Sequence, residues 1–100
     1  MMFGLEQKDI DLIRDTFKMF PGIKEVIIYG SRATGDDKTG SDIDLAVKGE
    51  NLTDDIISRL NSHLEEELAI PFFFDVVAYD KIKSAKLIEE IDQNGRLFYH

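Results

Sequence analysis

The sequence predicts an α/β (α+β) domain, a small sheet covered by helices in the order α-β-β-α-β-α. Three observations predict it. Apolar residues recur at helical spacing over residues 10–20 and again over 52–68. Three runs rich in β-branched or aromatic residues, 25–29, 42–47 and 72–78, are too short for helices. Pro21-Gly22, Gly49-Glu50-Asn51 and Pro71 punctuate the chain between them.

In the first segment Ile10, Ile13, Phe17 and Phe20 step by three and four, which puts them on one helix face. Pro21-Gly22 stops that helix. Glu25 to Tyr29 reads as a buried strand. Residues 30–41 are dominated by Gly, Ser, Thr and Asp and read as a loop, long for a simple connection. Asp42-Ile43-Asp44-Leu45-Ala46-Val47 reads as a second strand. Leu52, Ile56, Leu60, Leu64 and Leu68 then repeat every four residues, with Ile57 beside them. This predicts an amphipathic helix from about Thr53 to Leu68, with Thr53 as N-cap and Asp54 and Asp55 at the positive end of its dipole. Phe72 to Ala78 has the composition of a strand buried on both faces. A last helix, from Lys81 or Ser84 to Asn94, would bury Leu87, Ile88 and Ile91, with Gly95 as its C-cap. Leu97-Phe98-Tyr99 is expected to fold back on the core. Nothing divides the chain, so residues 1–100 read as one domain.

Composition excludes several functions. Twenty acids against twelve bases give a net charge of −8, which argues against general nucleic-acid binding and against docking on an anionic membrane. Without cysteine there is no thiolate chemistry and no disulfide. No apolar run spans a membrane, and the first residues lack the layout of a signal peptide, so a soluble cytoplasmic protein is expected.

Asp42, Asp44 and Asp75 lie within apolar strands, where an unpartnered carboxylate is costly. Asp42 and Asp44 are two residues apart, so on a strand they share a face with Cα atoms about 6.5 Å apart. If the strand of Asp75 is a neighbour, the three carboxylates converge at about 5–7 Å. Such a group is stable only when partly protonated or when cations sit between its members. Oxygen ligands without His or Cys suit a hard ion, Mg²⁺ or Mn²⁺. Taken alone, a D-x-D pair is weak, and strand-end aspartates often only cap turns. The adjacent Tyr29-Gly30-Ser31 strengthens it: a sharp turn with free N–H groups and the Ser31 hydroxyl can hold phosphate oxygens, with Arg32 as a further phosphate contact. A phosphate holder beside a metal holder is the minimum equipment of phosphoryl or nucleotidyl transfer. The alternatives lack their residues. Asp36-Asp37 stand where a P-loop needs Lys and Ser/Thr, and no G-x-G-x-x-G occurs.

Gly30-Ser31, the ten-residue gap, Asp42-Ile43-Asp44 and the later Asp75 together resemble the nucleotidyltransferase superfamily typified by DNA polymerase beta. The stretch from Tyr29 to Gly35 and from Gly40 to Leu45 looks like its smallest branch, the minimal nucleotidyltransferases. The resemblance implies a mixed sheet. It implies two Mg²⁺ ions, or Mn²⁺, held by Asp42, Asp44 and Asp75, with Asp75 helping to deprotonate an attacking hydroxyl. Gly30 and Ser31 would hold the terminal phosphates of a nucleoside triphosphate, ATP as substrate, with pyrophosphate leaving. It further implies an antitoxin that adds AMP to a tyrosine of a HEPN-domain partner. One hundred residues leave no room for an acceptor-binding domain, and −8 suits a basic partner better than tRNA or DNA. Two readings stand: an active transferase, or a non-catalytic antitoxin that silences a HEPN partner by occlusion. Pairing with a second copy is left open.

Overall fold

The computed structural model describes residues 2–36 and 40–100. Of the loop read over 30–41, residues 37–39 lie outside the described residues. The elements are α1 (Gln7–Lys18), β1 (Ile23–Tyr29), α2 (Ser31–Thr34), β2 (Ile43–Gly49), α3 (Asp54–Glu66), β3 (Phe74–Ala78), α4 (Ala85–Asn94) and β4 (Arg96–Tyr99). A single 3₁₀ turn, Tyr79–Lys81, separates β3 from α4. The expected mixed α/β order is therefore found, with two additions.

One four-stranded sheet runs in the order β3-β2-β1-β4. β2 and β3 are parallel; β1 pairs antiparallel with β2 and with β4. Parallel neighbours need a crossover, and α3 supplies it. Thr53 caps α3 as its type predicts, its hydroxyl accepting from the Ile56 N–H at 3.2 Å.

Strand alternation assigns the two sheet faces. Val26 and Ile28 of β1, Ile43, Leu45 and Val47 of β2, and Phe74 of β3 pack with Ile10, Ile13 and Phe17 of α1 and Leu60 and Leu64 of α3 in the main core. The opposite face carries a smaller cluster, Tyr29, Ala46 and Ile91 of α4, edged by half-buried Ile27, Val77 and Leu87. That face is covered thinly, and the acids lie on it.

The tail folds back on the core as expected, with Phe98 buried in it and Tyr99 packed against it, and does so as a paired strand, β4, because Leu97 and Arg96 find open partners at Ile27 and Ile28 on the free edge of β1. Two expectations are corrected. The phenylalanine-rich segment is not buried on both faces: β3 is the edge strand, and Phe73, just before it, is 73% exposed. The last helix, Ala85–Asn94, takes the later of its two expected starts, with the Ser84 hydroxyl as cap, but of Leu87, Ile88 and Ile91 it fully buries only Ile91. Gly95 does close it, but in extended backbone. It is glycine for lack of space: a Cβ there would lie 2.4 Å from the Ile91 carbonyl oxygen and 2.6 Å from Ile27 Cγ2.

Candidate active site

Asp44 is the residue opposite Asp75 in the parallel β2–β3 ladder and opposite Tyr29 in the antiparallel β1–β2 ladder. Residues in register point to the same side, so Tyr29, Asp44 and Asp75 form one row across three strands, with neighbouring strands about 4.8 Å apart. Asp42 lies one residue before β2 and is exposed. The row therefore ends in an acidic ledge where β1 stops and β2 and β3 begin.

The charges are felt. Burial, then the Asp75 carboxylate, then that of Asp42 push the Asp44 carboxyl up to about 6, against some relief from Arg32. Burial, then Asp75 and Asp44, hold the Tyr29 phenol at about 12, so it keeps its proton at neutral pH.

Gly30 ends β1 at φ 76°, ψ −156°, a conformation open essentially to glycine alone. A Cβ there would lie 2.6 Å from Asp44 Oδ2. The glycine thus serves two ends, a reversal of the chain and a seat for the Asp44 carboxylate. Gly30→Ala is expected to cost about 1–3 kcal/mol in urea unfolding and to displace Asp44 from its row. Ser31 follows in the short α2, half-buried beside the ledge. The hydroxyl of Thr34 is turned to Ser31 O and to Asp36 Oδ2, at 3.3 and 3.0 Å.

Arg32 departs from its expected role as a phosphate contact. Its side chain turns inward and the residue is only 3% exposed. Nη2 donates to the Ser41 carbonyl at 2.6 Å, Nε to Ser41 and Asp42 at 3.1 and 3.3 Å, and Nη1 to Phe3 and Gly4 at 2.9 and 3.3 Å. The guanidinium also stacks on Phe72, 4.5 Å from the ring centre. A buried fork satisfied by carbonyls offers no face to a triphosphate.

Sequence reasoning also passed over Glu65. From α3, its Oε2 accepts the backbone N–H of Phe74 at 2.9 Å and fixes the start of the strand that carries Asp75. An exposed-looking Glu on a helix gives no hint of this.

The donor set suits a hard divalent ion. Asp42, Asp44 and Asp75 offer carboxylate oxygens alone, their charges already disfavour one another at Asp44, and among the described residues no Lys forms an ion pair with them. Among the described residues, no three His, Cys, Asp or Glu side chains are drawn together tightly enough to ligate one ion as they stand.

The family model described as polymerase beta, nucleotidyltransferase, matches residues 6–100. The chain belongs to that family. Several solved structures share the nucleotidyltransferase fold. A chain of a toxin–antitoxin complex with AMP-PNP superimposes at TM-score 0.70 with 24% identity, covering 94% of this chain and 73% of that one. A chain of the MntA–HepT toxin–antitoxin gives 0.71 with 20% identity over 93% and 71%. A chain of the tri-AMPylated Shewanella oneidensis HEPN toxin in complex with MNT antitoxin gives 0.70 with 20% identity over 94% and 71%. A search of curated proteins found no match. Among the described residues, no helix of this nucleotidyltransferase is long and apolar enough to cross a membrane.

Proposed function

We propose that this nucleotidyltransferase moves AMP from ATP to a hydroxyl of a protein partner, a tyrosine of a HEPN toxin, and acts as the antitoxin of the pair. The observation that carries the reading is the register of Asp44 against Asp75 on the thinly covered sheet face, with Gly30 seating Asp44. Structural neighbours that are toxin–antitoxin complexes, one with AMP-PNP and one with a tri-AMPylated HEPN toxin, support the nucleotide and the partner.

The acceptor oxygen attacks the α-phosphorus, a new O–P bond forms, the bond to the bridging oxygen breaks, and pyrophosphate leaves with that electron pair. Asp75, exposed on the edge strand, accepts the acceptor proton. The Gly30–Ser31 turn holds the terminal phosphates. Asp42, Asp44 and Asp75 would hold two Mg²⁺ ions, or Mn²⁺, which when bound stabilise the attacking and leaving oxygens. Tyr29 keeps its proton and adds no charge to the ledge.

Labelled ATP, Mg²⁺ and a co-encoded HEPN protein test this. Label should pass to the HEPN protein, and the Asp42→Asn/Asp44→Asn double variant should transfer none. Inhibition of the HEPN protein that survives in that variant, with no label moved by either form, would instead establish occlusion.

Metal should also reverse a pH effect. The folded protein holds the Asp44 proton up to about pH 6, whereas the unfolded chain releases it near 3.8. The neutral carboxyl therefore contributes stability that is complete below the lower value and lost as pH rises through the upper one. With Asp44 partly open to solvent, the loss is about 1 kcal/mol after screening. Mg²⁺ should raise the melting temperature more at pH 7.5 than at pH 5, and equal shifts at both would mean that the acids do not hold it.

A further inference from the structure

We infer that Arg32 is a positioning residue for Asp42: its buried guanidinium fixes the backbone that presents the Asp42 carboxylate, and thereby sets the affinity of the ledge for a divalent ion with triphosphate. The inference rests on the reading above and deepens it. Asp44 and Asp75 are held by the sheet itself, since both lie inside hydrogen-bonded strands in register. Asp42 lies outside β2, and neither it nor Ser41 belongs to a helix or strand. On its far side the Ile43 N–H donates to the Phe73 carbonyl at 2.9 Å, and on its near side Arg32 grips the carbonyls of Ser41 and Asp42.

The guanidinium is a fixed reference because it is itself held from other directions. Nη1 is anchored on the Phe3 and Gly4 carbonyls of the N-terminal turn. The plane rests on Phe72, two residues before β3 begins. One side chain thus ties the turn after β1, the approach to β2 and the approach to β3. A planar fork with five donors can serve carbonyls on several sides at once; a Lys ammonium, a point charge, cannot hold that geometry. Groups that orient metal ligands from behind typically govern affinity by about 10–100-fold.

The test measures binding of Mn²⁺ with α,β-methylene-ATP, whose α–β linkage cannot be cleaved, by calorimetry well below each variant's melting temperature. Arg32→Lys keeps the charge and loses the fork. It should weaken binding about tenfold. In an Asp42→Asn background the same substitution should have little further effect, whereas in an Asp75→Asn background the tenfold loss should persist. Losses that add equally in both backgrounds would overturn the inference, because they would show that Arg32 does not act through Asp42. Unchanged affinity in Arg32→Lys would overturn it as well. A native protein that binds no Mn²⁺ with the analogue would sink the parent reading and this one together, so the two failures are distinct. Should Arg32→Lys not fold, Phe72→Leu removes the ring beneath the guanidinium and carries the same comparison. A severalfold loss that vanishes in the Asp42→Asn background supports the inference, and no loss overturns it.

Discussion

Asp44→Asn is expected to lower AMP transfer by about a thousandfold or more, equivalent to about 4 kcal/mol of transition-state stabilisation. Asp44 is the middle of the acidic row, opposite Asp75 on one side and Tyr29 on the other, and the carboxylates of Asp75 and Asp42 both oppose its ionisation. Asparagine keeps the shape and removes the charge that a divalent ion requires. The fold should not suffer. Above pH 6 the native carboxylate is a source of repulsion, so the variant should unfold at equal or higher urea concentration than the native protein at pH 7.5. Its stability should also lack the decline between about pH 4 and pH 6 that the raised carboxyl imposes. Initial rates of label transfer and urea melts at two pH values check both halves. Retention of a tenth of the native rate would remove Asp44 from the centre of the chemistry.

The largest structural effect is expected at Arg32. Arg32→Ala leaves the carbonyls of Phe3, Gly4, Ser41 and Asp42 without their donor and opens a void over Phe72. An abandoned buried acceptor costs about 1–3 kcal/mol, and some of these carbonyls will recover water as the N-terminal turn loosens. A net loss of about 3–5 kcal/mol is expected, a large share of the stability of a domain this size. The melting temperature should fall by about 15 °C or more. Arg32→Lys should lose less, because the charge and stem remain. A melting temperature within 3 °C of native for Arg32→Ala, against the ~15 °C expected, would mean that the observed hydrogen bonds contribute little.

These two residues mark the boundary of what the sequence discloses. Asp42 and Asp44 are legible because acids set beside an apolar strand stand out by residue type alone, although the strand itself begins only at Ile43. The α3 helix is legible for the same kind of reason: the fourfold spacing of Leu60 and Leu64 and the capping type of Thr53 are local properties. Arg32 is not legible. It stands among Gly, Ser and Thr, where an arginine reads as solvated. Its true partners are backbone carbonyls from both sides of it in the chain, and carbonyls carry no signature of residue type. Phe73 misleads in the opposite direction, since aromatic composition suggests burial and only the position of β3 at the sheet edge exposes it.

The sequence by itself determined most of the elements, the candidacy of Asp42 and Asp44, and the need for glycine at position 30, through periodicity and steric rules that operate within a few residues. Only the tertiary structure decided that β3 lies parallel beside β2 with Asp75 against Asp44, that Arg96–Tyr99 completes the sheet, and that Arg32 faces inward. Those outcomes depend on which strand edges meet and which carbonyls are left to satisfy once they have met. They are settled by hydrogen bonds and burial between segments far apart in the chain, to which no local pattern answers.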